Sequence, residues 1–138
     1  GRPGEPKKLQ LPDVGYGVSQ ALPLIAATLS KQLLLVEEAE SNLHPAAQAR
    51  LMKVLLESIR EGGAEGPSLI LETHSEHFLK AALLHLEEVD GLDDEDVCIL
   101  YVENGDDGSV VSRIETLDGE FRTPWPRDTW SDDTNPII

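Results

Sequence analysis

Basic residues are scarce in this chain. Lys and Arg number 11 against 26 Asp and Glu in 138 residues, a formal net charge of −15. Such a surface repels phosphate backbones, so nucleic acid is excluded as a partner except through a local basic patch or another polypeptide. The basic cluster that stands out is Lys7 with Lys8. Cysteine is nearly absent as well. Cys98 stands alone, which excludes an internal disulfide, and its apolar neighbours predict a buried thiol. No apolar run approaches the roughly 18 residues that cross a bilayer, and no signal-like segment opens the chain, so no membrane is expected and the cytoplasm is the expected compartment. There is no initiating methionine, and residues 1–6 read as a loop or an expression remnant.

What is present is a core-forming composition, 40% hydrophobic, in a chain long enough for one domain. The stretch QLLLVEEAESNLHP, residues 32–45, organises it. Four apolar residues run directly into Glu37 and Glu38, and a polar turn with Asn42, His44 and Pro45 follows. An apolar run bounded in this way predicts a strand covered on both faces, as in the parallel sheets of α/β domains. Ligands of such sheets collect at the carboxyl ends of the strands, where Glu37 and Glu38 would stand.

Around this strand the pattern is regular. Residues 1–12 are Pro- and Gly-containing and predict an irregular entry. In DVGYGVSQALPLIAATLS, residues 13–30, Gly15 and Gly17 precede Ser19 and Gln20, where a helix with Ser19 at its N-terminus and Pro23 near its first turn is expected. Such an N-terminus leaves N–H groups free for an anion. Residues 45–59 predict a second helix, stopped by Gly62 and Gly63, and SLILE, residues 68–72, a second buried strand ending in Thr73, His74 and Ser75. Strand, helix and strand with short links form a right-handed βαβ unit, which brings His74 to the same edge as Glu37 and Glu38. A third helix over 76–88 follows, then an acidic turn and strands over 97–102 and 110–117, paired antiparallel through ENGDDGS. Trp125 and Trp130 lie in a tail that packs on the body or projects to a partner.

The order GYGVSQ, LLLVEEAESNLHP and LILETHSEH resembles the second half of an ABC-type ATPase head, of the OLD and SMC-like branch of P-loop NTPases. The resemblance implies an α/β fold: a parallel βαβ core with flanking helices and a C-terminal antiparallel β-hairpin. It places residues 13–96 in the C-terminal lobe of the head and 97–138 in a small hairpin segment and tail. It also implies Gly15, Gly17, Ser19, Gln20 and Asn42 as nucleotide-contacting residues from the signature and D-loop positions. Glu37 takes the Mg²⁺-associated Walker B position, Glu38 that of the catalytic glutamate, and His74 that of the switch histidine. Departures from the family pattern are Glu-Glu in place of Asp-Glu, Ala39 where many relatives have proline, and a signature without Leu-Ser-Gly-Gly-Gln. No G-x-x-x-x-G-K-[ST] loop occurs.

ATP and Mg²⁺ are therefore expected only together with an N-terminal lobe supplied elsewhere, on the same or another polypeptide, and the full heads are expected to dimerise. A role in DNA repair or antiphage defence is an implication of the resemblance alone. The alternatives are a non-enzymatic interaction module on a degenerate ATPase fold and a nuclease-associated defence subunit. Three carboxyl and imidazole groups at one edge argue against the first. No further acidic cluster on a strand tip supports the second. HSEH lacks the i, i+4 histidine pair of HExxH, His44 reads as a helix cap, and residues 90–96 lack EF-hand spacing.

Overall fold

A computed structural model of the chain describes residues 15–30, 32–117 and 120–122. The expected irregular entry with Lys7 and Lys8, Asp13, and the tail with Trp125 and Trp130 lie outside the described residues.

The first element is a helix, α1 (Tyr16–Thr28), followed by strand β1 (Leu33–Glu37). Helix α2 (Pro45–Gly62) leads to strand β2 (Ser68–Glu72), and helix α3 (Glu76–Glu88) follows. β1 and β2 pair in parallel, Leu33 opposite Ser68 through Glu37 opposite Glu72. The expected parallel pairing of two strands joined through a helix is thus present, and the fold is mixed α/β.

Local chemistry explains each boundary. His44 caps α2, its Nδ1 accepting from Ala46 N–H at 3.3 Å, and Pro45 occupies the first turn, where its missing N–H is not needed. The helix runs three residues past the expected end and stops where Gly63 adopts φ 54. Ser75 caps α3, its hydroxyl accepting from Phe78 N–H at 3.2 Å. Two expectations for the first helix are corrected. It begins at Tyr16 rather than Ser19, because Gly15, at φ 86, turns the chain directly into the helix. Pro23 consequently lies two turns inside α1, where its missing N–H interrupts the ladder without ending the helix.

Phe78 and Leu55 are fully buried at the centre of the core, with Leu51, Met52, Leu56, Ala82, Leu83 and Leu86 around them. α2 and α3 supply most of this cluster, and Val36, Leu69 and Leu71 pack on it from the sheet. Among the described residues nothing covers the other sheet face. Leu33, Leu35 and Ile70 are 58%, 72% and 58% exposed. The expectation of strands covered on both faces is therefore corrected for the described residues: their helices cover one face, and the alternation of side chains along each strand turns the other away from them.

The C-terminal part is a second small sheet, β3 (Ile99–Gly105) and β4 (Gly108–Ile114), antiparallel as expected. The strands extend further into the link than expected, leaving Asp106 and Asp107 as a two-residue turn between Gly105 and Gly108, with Gly108 at φ 127. β4 ends at Ile114, and a separate short ladder joins β5 (Thr116–Leu117) to β6 (Glu120–Phe121). Cys98 is exposed, not buried. Its position alternates with half-buried Val97 and Ile99, so it falls on the outward side with Leu100 and Val102.

Before this sheet, the acidic segment forms a short 3₁₀ turn, Asp94–Asp96, closed by a capping box between Asp93 and Asp96. On the surface, Lys53 of α2 and His85 of α3 meet Glu88 at 3.4 and 2.7 Å. The hydrogen bond from His85, then that from Lys53, holds the Glu88 carboxyl below its ordinary range. The stabilisation is present above the ordinary carboxylate pKa and fades as pH falls through the lowered one, and solvent keeps it small.

Candidate functional site

Because β1 and β2 are parallel and in register, their carboxyl ends share one edge. Glu37 and Glu72 are direct register partners at that edge, on the same side of the sheet as the bare Leu35 and Ile70. Two like charges side by side repel, and a cation between them would relieve the repulsion. Glu72 is a residue of this edge that sequence reasoning missed. The signal was there, since LLLVE and SLILE are two five-residue runs ending in the same residue.

Glu38 follows immediately, where the chain leaves the strand. Its backbone is left-handed, φ 48, and is held there by a bond from its N–H to Glu72 O at 3.0 Å and by Ser41 N–H donating to Glu38 O at 2.9 Å. The Ser41 hydroxyl donates to Glu38 Oε2 at 2.8 Å and so orients the carboxylate. A non-glycine residue in this conformation costs roughly 1–2 kcal/mol, and such strain is characteristic of functional positions. Glu38→Gly is accordingly expected to leave the chain as stable as the parent or up to about 1 kcal/mol more stable, after offsetting glycine's greater unfolded freedom. Urea denaturation measures this. A loss larger than about 1 kcal/mol would identify the carboxylate as a structural group.

Asn42 is the other left-handed non-glycine residue among the described residues, φ 60. Its Nδ2 donates to Gln20 Oε1 of α1 at 3.3 Å. Gly17 makes this approach possible: a Cβ there would stand 2.7 Å from Asn42 O and 2.8 Å from Leu43 Cδ2. The glycine-containing start of α1 and the loop after β1 are thus packed together, two segments that the sequence could only place in order.

Glu37, Glu38 and Glu72 line an open cleft of about 490 Å³ with Ser41, Asn42, Tyr16 and Gln20. Of the expected site residues, the cleft therefore brings together Glu37, Glu38, Gln20 and Asn42. Gly15 and Gly17 flank Tyr16 at the helix start and do not line it. Ser19 is not a free N-terminal donor. Its N–H and its hydroxyl both bond to Gly15 O, at 3.1 and 3.0 Å, within the first turn of α1. His74 stands beside the cleft with an exposed ring, its Nε2 3.9 Å from Glu72 Oε1.

Residues 3–80 match the family model described as "AAA domain, putative AbiEii toxin, Type IV TA system". The chain belongs to this family. It is accordingly related to the AAA-type P-loop ATPases, whose chemistry uses a nucleotide and Mg²⁺. No curated protein and no solved structure matches the chain.

Glu37 and Glu72, paired at this edge, are donors of the class that Mg²⁺ takes. Carboxylate oxygens are the hard ligands that ion takes. Among the described residues no three His, Cys, Asp or Glu side chains are grouped closely enough to hold a metal by themselves. No helix among the described residues is long and apolar enough to cross a membrane.

Proposed function

We propose that this chain supplies the hydrolytic edge of an ATP-hydrolysing head, the part that in ABC-type, OLD and SMC-like ATPases carries the signature, Walker B, D-loop and switch-histidine segments. The observation that carries the proposal is the pairing of Glu37 with Glu72 at the tip of a parallel strand pair, with Glu38 beside it in a cleft open to solvent. Phosphoryl transfer needs an oriented water and charge compensation around the γ-phosphate more than covalent help. Glu38, fixed by Ser41, orients the water and accepts its proton. Glu37, with Glu72 next to it, would hold Mg²⁺, and the ion would supply charge compensation for the phosphates. His74 donates toward the γ-phosphate. The first turn of α1, with the N–H groups of its opening residues unpaired within the helix, faces the nucleotide of a second head.

The chain has no phosphate-loop sequence, so the triphosphate cradle comes from another lobe. The bare Leu33, Leu35 and Ile70 favour this division, because parallel sheets are ordinarily covered on both faces. A role in DNA repair, antiphage defence or a toxin–antitoxin system would lie in the output of the assembled protein. The 138-residue chain alone should show negligible ATPase activity, and activity should appear when it is combined with a lobe that carries the phosphate loop. Colorimetric phosphate release measures both. Robust hydrolysis by the isolated chain, or none by the combined protein, overturns the reading.

A further inference from the structure

One buried carboxylate has no part in the chemistry just described. Glu40, 7% exposed, sits in the turn after β1 between Glu38 and Asn42. Its Oε1 accepts from the Thr73 hydroxyl at 2.6 Å and from His74 N–H at 3.0 Å. Its Oε2 is buried without a hydrogen-bond partner among the described residues. A carboxylate taken out of water with one oxygen unsatisfied is a poor way to add stability, since desolvation opposes the bonds it makes. Its effect is geometric. It reaches across from the loop after β1 and grips the loop after β2 at the residue that carries the imidazole.

A second side chain grips the same loop from the other side. Gln48, also buried, donates from Nε2 to Leu43 O at 3.0 Å and accepts at Oε1 from the Ser75 hydroxyl at 2.6 Å. Ser75 N–H in turn donates to Thr73 Oγ1 at 3.0 Å. The bonds form one connected chain, Glu40 to Thr73 to Ser75 to Gln48 to Leu43, around a backbone whose His74 ring stays exposed. Both anchors belong to the connection between β1 and α2 or to α2 itself, the elements that carry Glu38, Ser41 and Asn42.

We propose that Glu40 is the positioning residue for His74: by holding the Thr73 hydroxyl and the His74 N–H, it fixes where the imidazole stands relative to the carboxylates of β1. The proposal rests on the reading of His74 as the residue that meets the γ-phosphate. A displacement of the Ser41–Asn42 turn by a nucleotide or a facing head is passed to His74 through this carboxylate. The two sides of the site then respond together.

The test uses the ¹⁵N-labelled 138-residue chain. Glu40→Ala should speed hydrogen exchange at the His74 amide roughly 10- to 100-fold, the range for a lost charge-assisted hydrogen bond. Leu55 and Phe78 should be unaffected. Glu40→Gln, whose amide oxygen still accepts, should show a smaller increase. Should Glu40→Ala fail to fold, Thr73→Val combined with Glu40→Gln carries the exchange test.

In the protein combined with a phosphate-loop lobe, Glu40→Ala should lower kcat roughly 10- to 100-fold at unchanged KM, as expected for a displaced group, with Glu40→Gln rescuing part of the loss. Unaltered exchange at the His74 amide overturns the proposal. So does altered exchange with unchanged kcat, an outcome that leaves the ATPase reading standing. If the parent combination hydrolyses no ATP, it is the ATPase reading that fails, and the exchange data alone then decide whether Glu40 holds His74.

Discussion

Glu38→Gln, in the protein combined with a phosphate-loop lobe, is expected to lower kcat for ATP hydrolysis by about 10²- to 10⁴-fold, the usual contribution of a positioned general base. The substitution is close to isosteric, and the new side-chain oxygen can still accept from the Ser41 hydroxyl, which lies 2.8 Å from Glu38 Oε2. The backbone, held by Glu72 O and Ser41 N–H, has no reason to move. What is lost is the basicity that takes a proton from water. Affinity for ATP should be unchanged or slightly higher, because a negative charge leaves the neighbourhood of the triphosphate.

Glu37→Gln and Glu72→Gln should behave differently. Each removes half of the like-charged pair at the end of the parallel ladder, so each should raise the Mg²⁺ concentration needed for half-maximal activity. Single-turnover assays with an Mg²⁺ titration separate these cases. A Glu38→Gln enzyme that turns over at the parent rate would show that the water is activated elsewhere.

The origin of these residues in the sequence is uneven. The strands LLLVE and SLILE, the helix between them and the acids at the first tip were legible because short bounded apolar runs and helical spacing leave a local signature. So was the hairpin, from its Asn-Gly and Asp-Gly steps. The like-charged pairing of Glu37 with Glu72 depends on register, a non-local property, and was visible only once the strands were aligned at their ends. Glu40 was illegible for another reason. A Glu in a polar turn ordinarily faces water, and its burial depends on donors 33 and 34 residues away, Thr73 and His74.

The bare face of the sheet ran against expectation because an apolar strand is the same string of letters whether its second face is covered by its own chain or by another. The start of α1 was misplaced by three residues because Gly15 turns the chain into the helix without any side-chain cap, so no capping residue marks the spot.

Phe78→Ala is expected to cost about 3–5 kcal/mol of stability, the range for removing a large buried aromatic and leaving a cavity. Its ring has no exposed surface, and with Leu55 it is one of the two largest fully buried side chains. The neighbours that might collapse into the space belong to α2 and α3, both of which are pinned at their N-termini, by His44 and by Ser75. A loss of that size is a large part of the roughly 5–15 kcal/mol that holds a typical domain together. It should appear in urea denaturation as a lower midpoint with an unchanged m-value.

Leu35→Ala supplies the contrast. Leu35 is apolar and central in β1, yet 72% exposed, so in the chain alone its truncation should change stability by no more than about 0.5 kcal/mol. In the protein combined with a lobe that covers the open face, the same substitution should cost about 2–5 kcal/mol, as for a buried leucine. The difference between the two values measures how completely that face is covered. Equal small costs in both forms would mean that the covering lobe sits elsewhere.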